Sequence, residues 1–187
     1  MKKPTTKEKI LQAATELFSY KGYTSATTRE VAKEAGVCEL TVFRYFLTKE
    51  KLFTEILESY LKPPYAEEMY KQTDGLSKRE IISGLWSRLF KHFQSSKKIQ
   101  TIVLSQSYKN KEVAQMSKCY FTDIETLLTD CIKKTGILEH TEAVNFAAAT
   151  LHGAYAFFVL EEIIKGRSVD DTEIKQNGKL FADIINV

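Results

Sequence analysis

Glycine and proline are scarce in this chain. Only eight glycines and three prolines occur among 187 residues. A strand-and-turn architecture uses both residue types at its turns, whereas the interior of a long helix excludes them. Apolar residues make up 43% of the chain, which is enough to bury a core at this length. The composition therefore predicts an all-α protein.

Cysteine and histidine are too few and too scattered for a disulfide framework or a metal site. Cys38, Cys119 and Cys131 form no CxxC pair, so reduced thiols are the expected state. The three histidines lie far apart and form no HxxxH or HExxH pattern. The GxSxG and GxxxxGKS/T motifs are also missing. We therefore expect no metal, no cofactor and no enzymatic activity.

Long apolar runs are missing as well. A membrane-spanning helix needs about 18 or more apolar residues, and the longest uninterrupted run here extends from Ala154 to Leu160. Met1-Lys2-Lys3-Pro4 carries charge, but no apolar segment follows it, so the pattern of a signal peptide is not found. We expect a cytoplasmic protein with no membrane partner.

Positive charge is concentrated near the N-terminus. The chain has a formal net charge of +3, but residues 1–53 contain ten Lys or Arg and six Glu, which gives them a net charge of +4. The remaining residues carry −1. A basic end on a nearly neutral body indicates a polyanionic partner, although chance clustering of surface lysines gives the same pattern.

Three helices are predicted in this basic segment. Thr5-x-x-Glu8 and Thr27-x-x-Glu30 match the capping box that begins a helix, and apolar residues follow each box at helical spacing. A third helix is predicted from about Glu39 to Phe46, after Gly36 has ended the second. Two short helices joined by a tight turn and docked on a preceding helix form a helix-turn-helix unit. Hairpins of this kind also occur in ordinary helical bundles.

The rest of the chain also has the pattern of helices. Thr48 begins a fourth helix, a linking helix over about residues 49–61, and Pro63-Pro64 ends it. Five more helices are expected: one from Ser77-x-x-Glu80, one near Ile99–Leu104, one from about Glu112 to Lys134, one from about Glu142 to Lys165 and one from Asp170-x-x-Glu173. We therefore expect about nine helices, divided between a domain of residues 1–61 (the head) and a domain of residues 62–187 (the body).

Residues 27–53, TTREVAKEAGVCELTVFRYFLTKEKLF, carry a specific resemblance. Together with the Ala13-Ala14 to Phe18 run and Gly22-Tyr23, they resemble the N-terminal pattern of the tetracycline-repressor (TetR) family of bacterial regulators over roughly residues 6–61. The body resembles the family only in length, helix count and helix order. The resemblance implies a transcriptional regulator, more often a repressor, with a DNA-binding head and a ligand-binding and dimerisation body. A homodimer would bind an inverted-repeat operator and leave it when a small molecule binds the body.

The resemblance also implies which residues contact DNA. Base contacts are expected from the second and third helices, at Arg29, Glu39, Leu40, Thr41, Phe43 and Arg44. Phosphate contacts are expected at Thr27, Thr28, Tyr45 and Lys49. Arg29 or Arg44 suits guanine, Glu39 can accept from cytosine, and Leu40 can pack on a thymine methyl group. Each residue also has a structural alternative, such as an exposed Glu39–Arg44 ion pair or a helix cap at Thr27.

Three positions depart from the family's pattern. Phe43 replaces a common tyrosine, Leu40 replaces a small residue, and Cys38 replaces a frequent serine cap. These departures leave open a helical interaction module that no longer binds DNA specifically. Cys38 also lies near a helix N-terminus, which lowers the pKa of a thiol, so a redox role is a further alternative.

The body is expected to hold a dimer interface and an effector pocket. Small and apolar residues on the last two helices suit a four-helix interface across a two-fold axis, or the hub of the monomer's core: Ala148, His152, Gly153, Ala156, Phe181 and Ile184. Aromatic residues are candidate walls of the pocket, or ordinary packing: Trp86, Phe90, Phe93, Tyr108, Tyr120, Phe121, Phe157 and Phe158. We expect an apolar or amphipathic effector, and the sequence shows no buried-charge pattern that would indicate its type.

Overall fold

The computed structural model describes residues 3–60, 75–134 and 140–185, and every regular element in these ranges is a helix. The nine α-helices of these ranges are α1 (Thr6–Lys21), α2 (Thr28–Ala35), α3 (Glu39–Phe46), α4 (Lys49–Tyr60), α5 (Lys78–Ser95), α6 (Lys97–Ser107), α7 (Lys111–Lys134), α8 (His140–Phe158) and α9 (Asp171–Ile184). The predicted all-α fold and its helix count are confirmed. The predicted boundaries at Leu61, Pro63-Pro64 and Gly136 lie outside the described residues.

Local hydrogen bonds begin four of these helices where the sequence predicts. The hydroxyl groups of Thr5, Thr27 and Ser77 each accept from the backbone N–H three residues later, and the glutamate there accepts from the cap's own N–H. Asp170 accepts from the N–H groups of Thr172 and Glu173 at the start of α9. The four cap predictions are confirmed, because each cap satisfies amides that the first turn of a helix leaves without partners.

The described chain divides into two compact units. The first contains the described residues of Met1–Lys62 together with Lys98–Ser117, and the second contains those of Pro63–Lys97 with Lys118–Val187. Helix α7 is therefore divided between the two units, and α6 belongs to the first apart from Lys97. The first unit is larger than the domain 1–61 expected from sequence.

The core of the first unit explains this difference. In α1, Ile10, Ala14 and Phe18 are buried against α2 and α4. The same apolar cluster includes Ile99, Ile102 and Val103 of α6 and Val113 of α7, each exposed by 3% or less. Burial of four such side chains supplies several kcal/mol of apolar stabilisation, at about 1.5–3 kcal/mol each. The head's core is therefore completed by residues 98–117.

The second unit is built on the packing of α5 along α8 and α9. The closest approach is at Gly178 of α9, where an added Cβ would lie 2.7 Å from Ser87 Oγ and 2.8 Å from the Ser83 carbonyl oxygen of α5. Near the end of the same helix pair, the guanidinium of Arg79 donates to both oxygens of Asp183, at 2.5 and 2.7 Å. The two helices are thus held by backbone proximity and by a bidentate ion pair.

Helix α8 continues into a π-helix, Val159–Ile164, where sequence predicts an α-helix to about Lys165. Glu161 and Glu162 lie within it and are exposed by 5% and 2%, so this segment buries two carboxylates that no pattern in the sequence had indicated. The carboxylate of Glu162 accepts from Gln94 Nε2 at 2.7 Å, Lys97 Nζ at 3.0 Å and the Val169 amide at 2.9 Å. Burial raises the pKa of Glu162, but the hydrogen bonds outweigh it and leave that pKa below its ordinary value.

Two glycines in this unit make a matched test of the α5–α9 contact. Gly178→Ala should lower the free energy of unfolding by about 1–2 kcal/mol, because the new methyl group meets a backbone carbonyl. Gly84→Ala is the control: it lies inside α5, nothing lies within 4 Å of the place its new methyl group would occupy, and alanine there should stabilise by about 0.5–1 kcal/mol. Urea unfolding of both variants measures the difference, and equal effects would contradict the close approach.

Candidate nucleic-acid interface

Helix α3 has one buried face and one exposed face. Val42 and Phe46 are buried in the core of the first unit at 1% and 3% exposure. The opposite face presents Leu40 at 68% and Phe43 at 41% exposure. Water alone does not favour large apolar side chains on a short exposed helix, so this face is suited to a partner surface.

The turn between α2 and α3 sets the position of this exposed face. Gly36 follows α2 in the left-handed conformation (φ 69°, ψ 35°), and its N–H donates to carbonyls of the last turn. Val37 N–H donates to the Ala32 carbonyl at 2.9 Å. These bonds close α2 with the pattern expected of a glycine terminator. The predicted helix-turn-helix is therefore present in the first unit.

The predicted base-contact residues at the start of α3 interact with α2. Thr28 Oγ1 donates to Glu39 Oε1 at 2.7 Å. Arg29 Nε lies 3.9 Å from Glu39 Oε2, and the Arg29 side chain is 87% exposed. The ionic partner of Glu39 is therefore Arg29, rather than Arg44 as the alternative from sequence supposed.

Cys38 precedes α3 but does not cap it through its side chain. Its Sγ lies 3.2 Å from Thr41 Oγ1, in a contact where either atom can donate. The hydrogen bond with the Thr41 side chain is the largest cause that lowers the pKa of this thiol, followed by the backbone amide of Thr41. Cys38 therefore does not supply the side-chain cap that a serine at this position can offer.

Lys49, at the start of α4, is held by the aromatic core of the head. Its Nζ lies 4.5 Å from the centre of the Tyr23 ring and 3.3 Å from the Thr24 carbonyl oxygen, to which it donates. Tyr23 stacks on Phe53 with ring centres 4.4 Å apart. Partial burial lowers the pKa of Lys49. This ammonium group has one donor committed inside the protein and a cation–π contact that fixes its position.

The remaining head positions are on the surface. In the capping box of α2, Thr27 Oγ1 accepts from Glu30 N and donates to Glu30 Oε2. Arg44 and Tyr45 are exposed and line a shallow groove of about 340 Å³ with Thr6 and Thr41. The structure thus brings the ten predicted contact residues to α2, α3 and the start of α4, with Thr27, Thr28 and Lys49 already engaged within the protein.

The candidate pocket residues form a continuous aromatic cluster in the second unit, with one exception. Tyr108 belongs to the first unit, is 76% exposed and has Lys109 Nζ 5.1 Å from its ring centre. Ring contacts between 5.3 and 6.4 Å link the other seven: Trp86, Phe90, Phe93, Tyr120, Phe121, Phe157 and Phe158. Tyr155 joins them 4.9 Å from Phe93, and Phe181 joins them 6.4 Å from Trp86. Sequence reasoning placed Tyr108 by residue type alone.

Polar atoms are embedded in this cluster. Trp86 is 2% exposed, and its Nε1 has no hydrogen-bond partner among the described residues. His92 Nε2 lies 2.6 Å from the Tyr120 hydroxyl, and both residues are buried. Burial lowers the pKa of His92, which favours its neutral form. His92 and Tyr155 were missed by sequence reasoning, since their single positions carry no periodic signal.

The residues proposed for dimerisation lie along an exposed strip of α8 and α9. His152 and Ala156 are exposed, as is Ile184 at 68%, whereas Ala148 is half-buried. Leu160, Ile164 and Leu180 extend the exposed apolar surface at 44%, 70% and 56%. Gly153 differs from the rest, because an added Cβ would overlap the Phe181 ring of the same chain. Gly153 and Phe181 therefore also serve packing within one protomer.

The comparisons with known proteins agree with the geometry of the first unit. Residues 10–56 match the family model described as bacterial regulatory proteins, tetR family. The uncharacterized HTH-type transcriptional regulator YvkB of Bacillus subtilis is 29% identical over 134 residues, which cover 72% of this chain and 69% of that protein. YhgD of the same organism is 45% identical over 56 residues, 30% of this chain and 29% of that protein. Another relative, YerO, is spanned over only 45% of its length.

Solved structures extend the similarity of fold to the rest of the chain. A transcriptional regulator (TerR/AcrR family) from Aquifex aeolicus VF5 superposes with a TM-score of 0.78 at 20% identity, over 97% of this chain and 99% of that one. A TetR-like transcriptional regulator from Rhodococcus sp. RHA1 superposes with a TM-score of 0.71 at 14% identity, over the full length of both chains. At these identities the superpositions establish the fold of the body and not its ligand.

The turn after α3 is strained in a way that can be measured. Leu47 has a positive φ (60°, with ψ −47°), and Thr48 N–H donates to the Phe46 carbonyl at 2.6 Å, which is a γ-turn of the rare type. Leu47→Gly should raise the free energy of unfolding by about 0.5–1 kcal/mol, since the strain of a left-handed leucine exceeds the entropic cost of glycine. Leu47→Ala keeps the strain and is the control, because the leucine side chain is 64% exposed. An equal effect of both substitutions in chemical unfolding would argue against strain.

Proposed function

Because the chain belongs to the tetR family of bacterial regulatory proteins, we propose that it acts as a homodimeric repressor that binds an inverted-repeat operator and is released by a small molecule. At the coarser level it is a helix-turn-helix transcriptional regulator that binds DNA. The observation that carries the proposal is the exposed face of α3, which is held on a rigid core through Val42 and Phe46.

The head presents the side chains that major-groove binding requires. Recognition helices of this kind place their N-terminal side chains on base edges. Leu40, Thr41, Phe43 and Arg44 then contact bases, and Arg29 and Glu39 join them from the α2–α3 contact. Tyr45, Thr27 and Lys49 contact phosphates. One N–H of the Lys49 ammonium group donates to the Thr24 carbonyl, and its other N–H groups can donate to a phosphate oxygen. Its position over Tyr23 spares part of the entropic cost of ordering a lysine on binding.

The exposed apolar strip of α8 and α9 supports dimerisation. By length and composition, Thr141–Ile164 is apolar enough to cross a membrane. Only 33% of its most apolar stretch is buried within the chain, so much of this apolar surface is left for a partner to cover. This segment contains the uninterrupted apolar run from Ala154 to Leu160 and extends past both of its ends. A second copy packed through Ala148, His152, Ala156, Phe181 and Ile184, with Gly153 at the close crossing, would cover the strip. We propose this dimer in preference to a membrane-bound form, because the strip also contains exposed His152, Glu142 and Asn145.

The aromatic cluster of the second unit supports an effector site. The rings of Trp86, Phe90 and Phe157 can pack against an apolar ligand, and the Trp86 Nε1–H has no acceptor among the described residues. An apolar or amphipathic molecule with one acceptor group suits these walls. Such a molecule releases DNA only if it binds the DNA-free conformation more tightly than the DNA-bound one.

Selection of binding sites from a random duplex library tests the proposal. A dimer with two heads should enrich an inverted repeat whose half-sites are centred about one helical turn apart or a multiple of it, because operator symmetry mirrors protein symmetry. Affinity for the selected duplex should fall steeply with salt. A helical interaction module without DNA specificity would enrich no sequence, and this outcome would reject the repressor.

Ile184→Arg tests the dimer separately. A charged side chain in the apolar strip should convert a dimer of two 21.4 kDa protomers to a monomer, because an unpaired charge is costly to bury. Thr126→Arg is the matched control: it adds the same charge at an exposed position of α7 outside the strip. Sedimentation equilibrium gives both masses, and circular dichroism confirms that the helices remain. A dimeric Ile184→Arg variant would move the interface elsewhere.

A further inference from the structure

Two residues at the start of α2 contact Glu39, the first residue of α3. The Thr28 hydroxyl donates to Glu39 Oε1 at 2.7 Å, and Arg29 Nε approaches Glu39 Oε2 at 3.9 Å. Thr28 and Arg29 are consecutive, so one short segment of chain approaches both carboxylate oxygens, one through a hydrogen bond and the other through a long, exposed ion pair. Its side chain nevertheless remains 37% exposed, and that of Arg29 remains 87% exposed.

The arrangement places an obligatory acceptor beside an obligatory donor. An ionised carboxylate only accepts hydrogen bonds and a guanidinium only donates them. Arg29 approaches Glu39 through Nε, while a guanidinium reads guanine through its fork of nitrogens. The outer surface of the α2–α3 contact therefore offers one negative acceptor and one positive donor group side by side.

The major groove contains a matching pair of groups at a C·G base pair. Only two bases present a donor there, cytosine through N4 and adenine through N6, whereas guanine presents the O6 and N7 acceptors. A carboxylate thus excludes guanine and thymine from the position that it faces. Arginine forms its best bidentate contact with guanine. The base pair that satisfies both groups, with the donor on one base and the two acceptors on its partner, is C·G.

We propose that Thr28, Glu39 and Arg29 form one reading unit that selects a C·G pair in each half-site of the operator. Glu39 accepts from cytosine N4 and Arg29 donates to the paired guanine. Thr28 is a positioning residue that fixes the carboxylate. The inference rests on the proposed DNA-binding function and adds the identity of one base pair to it.

The proposal changes the role that the family resemblance implies for Thr28. A phosphate contact would need the hydroxyl proton that Thr28 gives to Glu39. The adjacent carboxylate would also repel a phosphate oxygen at that place. An exposed ion pair contributes little to stability, so stability alone gives little reason for this arrangement. Positioning for base readout accounts for both the hydrogen bond and the exposure.

The test compares base preference in variants that differ by a single group. The wild-type dimer should select C·G at one symmetric position per half-site, and replacing that pair in the duplex should weaken binding roughly 5- to 150-fold, the range for one good bidentate contact. Glu39→Gln should lose this preference and move it toward adenine, because glutamine pairs with adenine N6 and N7. The ratio of affinities for the C·G and A·T duplexes is the readout, since removal of a negative charge raises affinity for any DNA.

Glu34→Gln is the matched control for that change of charge. Glu34 is exposed on α2, and its replacement removes the same charge from the same unit, so affinity should rise for both duplexes and their ratio should stay constant. Thr28→Val should reduce the C·G preference several-fold without moving it to another base, and Thr28→Ser should retain it. A purely structural role of Thr28 would change stability and leave the ratio of affinities unaltered.

The outcomes separate this inference from the proposed function. An enriched inverted repeat whose base preferences are the same in wild type and Glu39→Gln would overturn the reading unit and leave DNA binding intact. Enrichment of no duplex by the wild type would reject the proposed function and the reading unit together. A shift at a single symmetric position, present in Glu39→Gln and absent in Glu34→Gln, supports both.

Discussion

The candidate interface depends on the burial of a few side chains from two very short helices. Helices α2 and α3 contain eight residues each, and helices of this length are not stable alone in water. Val31, Ala32, Val42 and Phe46 are exposed by 3% or less in a core shared with Phe18 and Phe53. Their outward side chains hold fixed positions only because this burial fixes the two backbones. Loss of the core would remove the recognition surface before it removed any contact residue.

This dependence also explains how much the sequence alone could predict. Capping boxes and glycine terminators act within a few residues, so Thr5, Thr27, Ser77 and Gly36 marked the helix boundaries correctly. The family pattern over the head likewise identified the interface helices. Neither signal carries information on contacts between distant residues. The Thr28–Glu39 hydrogen bond, the Lys49–Tyr23 contact and the burial of Glu162 each arise where tertiary packing brings two segments together.

The second unit buries polar groups in two different ways. In the π-helix that follows α8, the carboxylates of Glu161 and Glu162 are buried. Their cationic partners, Lys165 and Arg167 for the first and Lys97 for the second, keep side chains that are 39–53% exposed. Removal of a cationic partner is costly here, because it leaves a buried carboxylate with fewer partners. In the aromatic cluster, Trp86 Nε1 has no partner among the described residues. An orphan donor in an apolar surrounding favours any neutral ligand that brings an acceptor, and ring faces discriminate poorly between ligands of similar shape.

The completion of the head's core by α6 and α7 bears on how regulators of this architecture are recombined. Hybrid regulators are most simply imagined as a head cut at the end of the linking helix and joined to a new body. Such a cut would separate Ile99, Ile102, Val103 and Val113 from the apolar residues against which they pack. The grafted head would then depend on whatever side chains the new body offered in their place. In this protein the piece that could be transferred consists of segments that are discontinuous in sequence. The DNA-binding pattern is contiguous in the sequence, but the unit that folds around it is not.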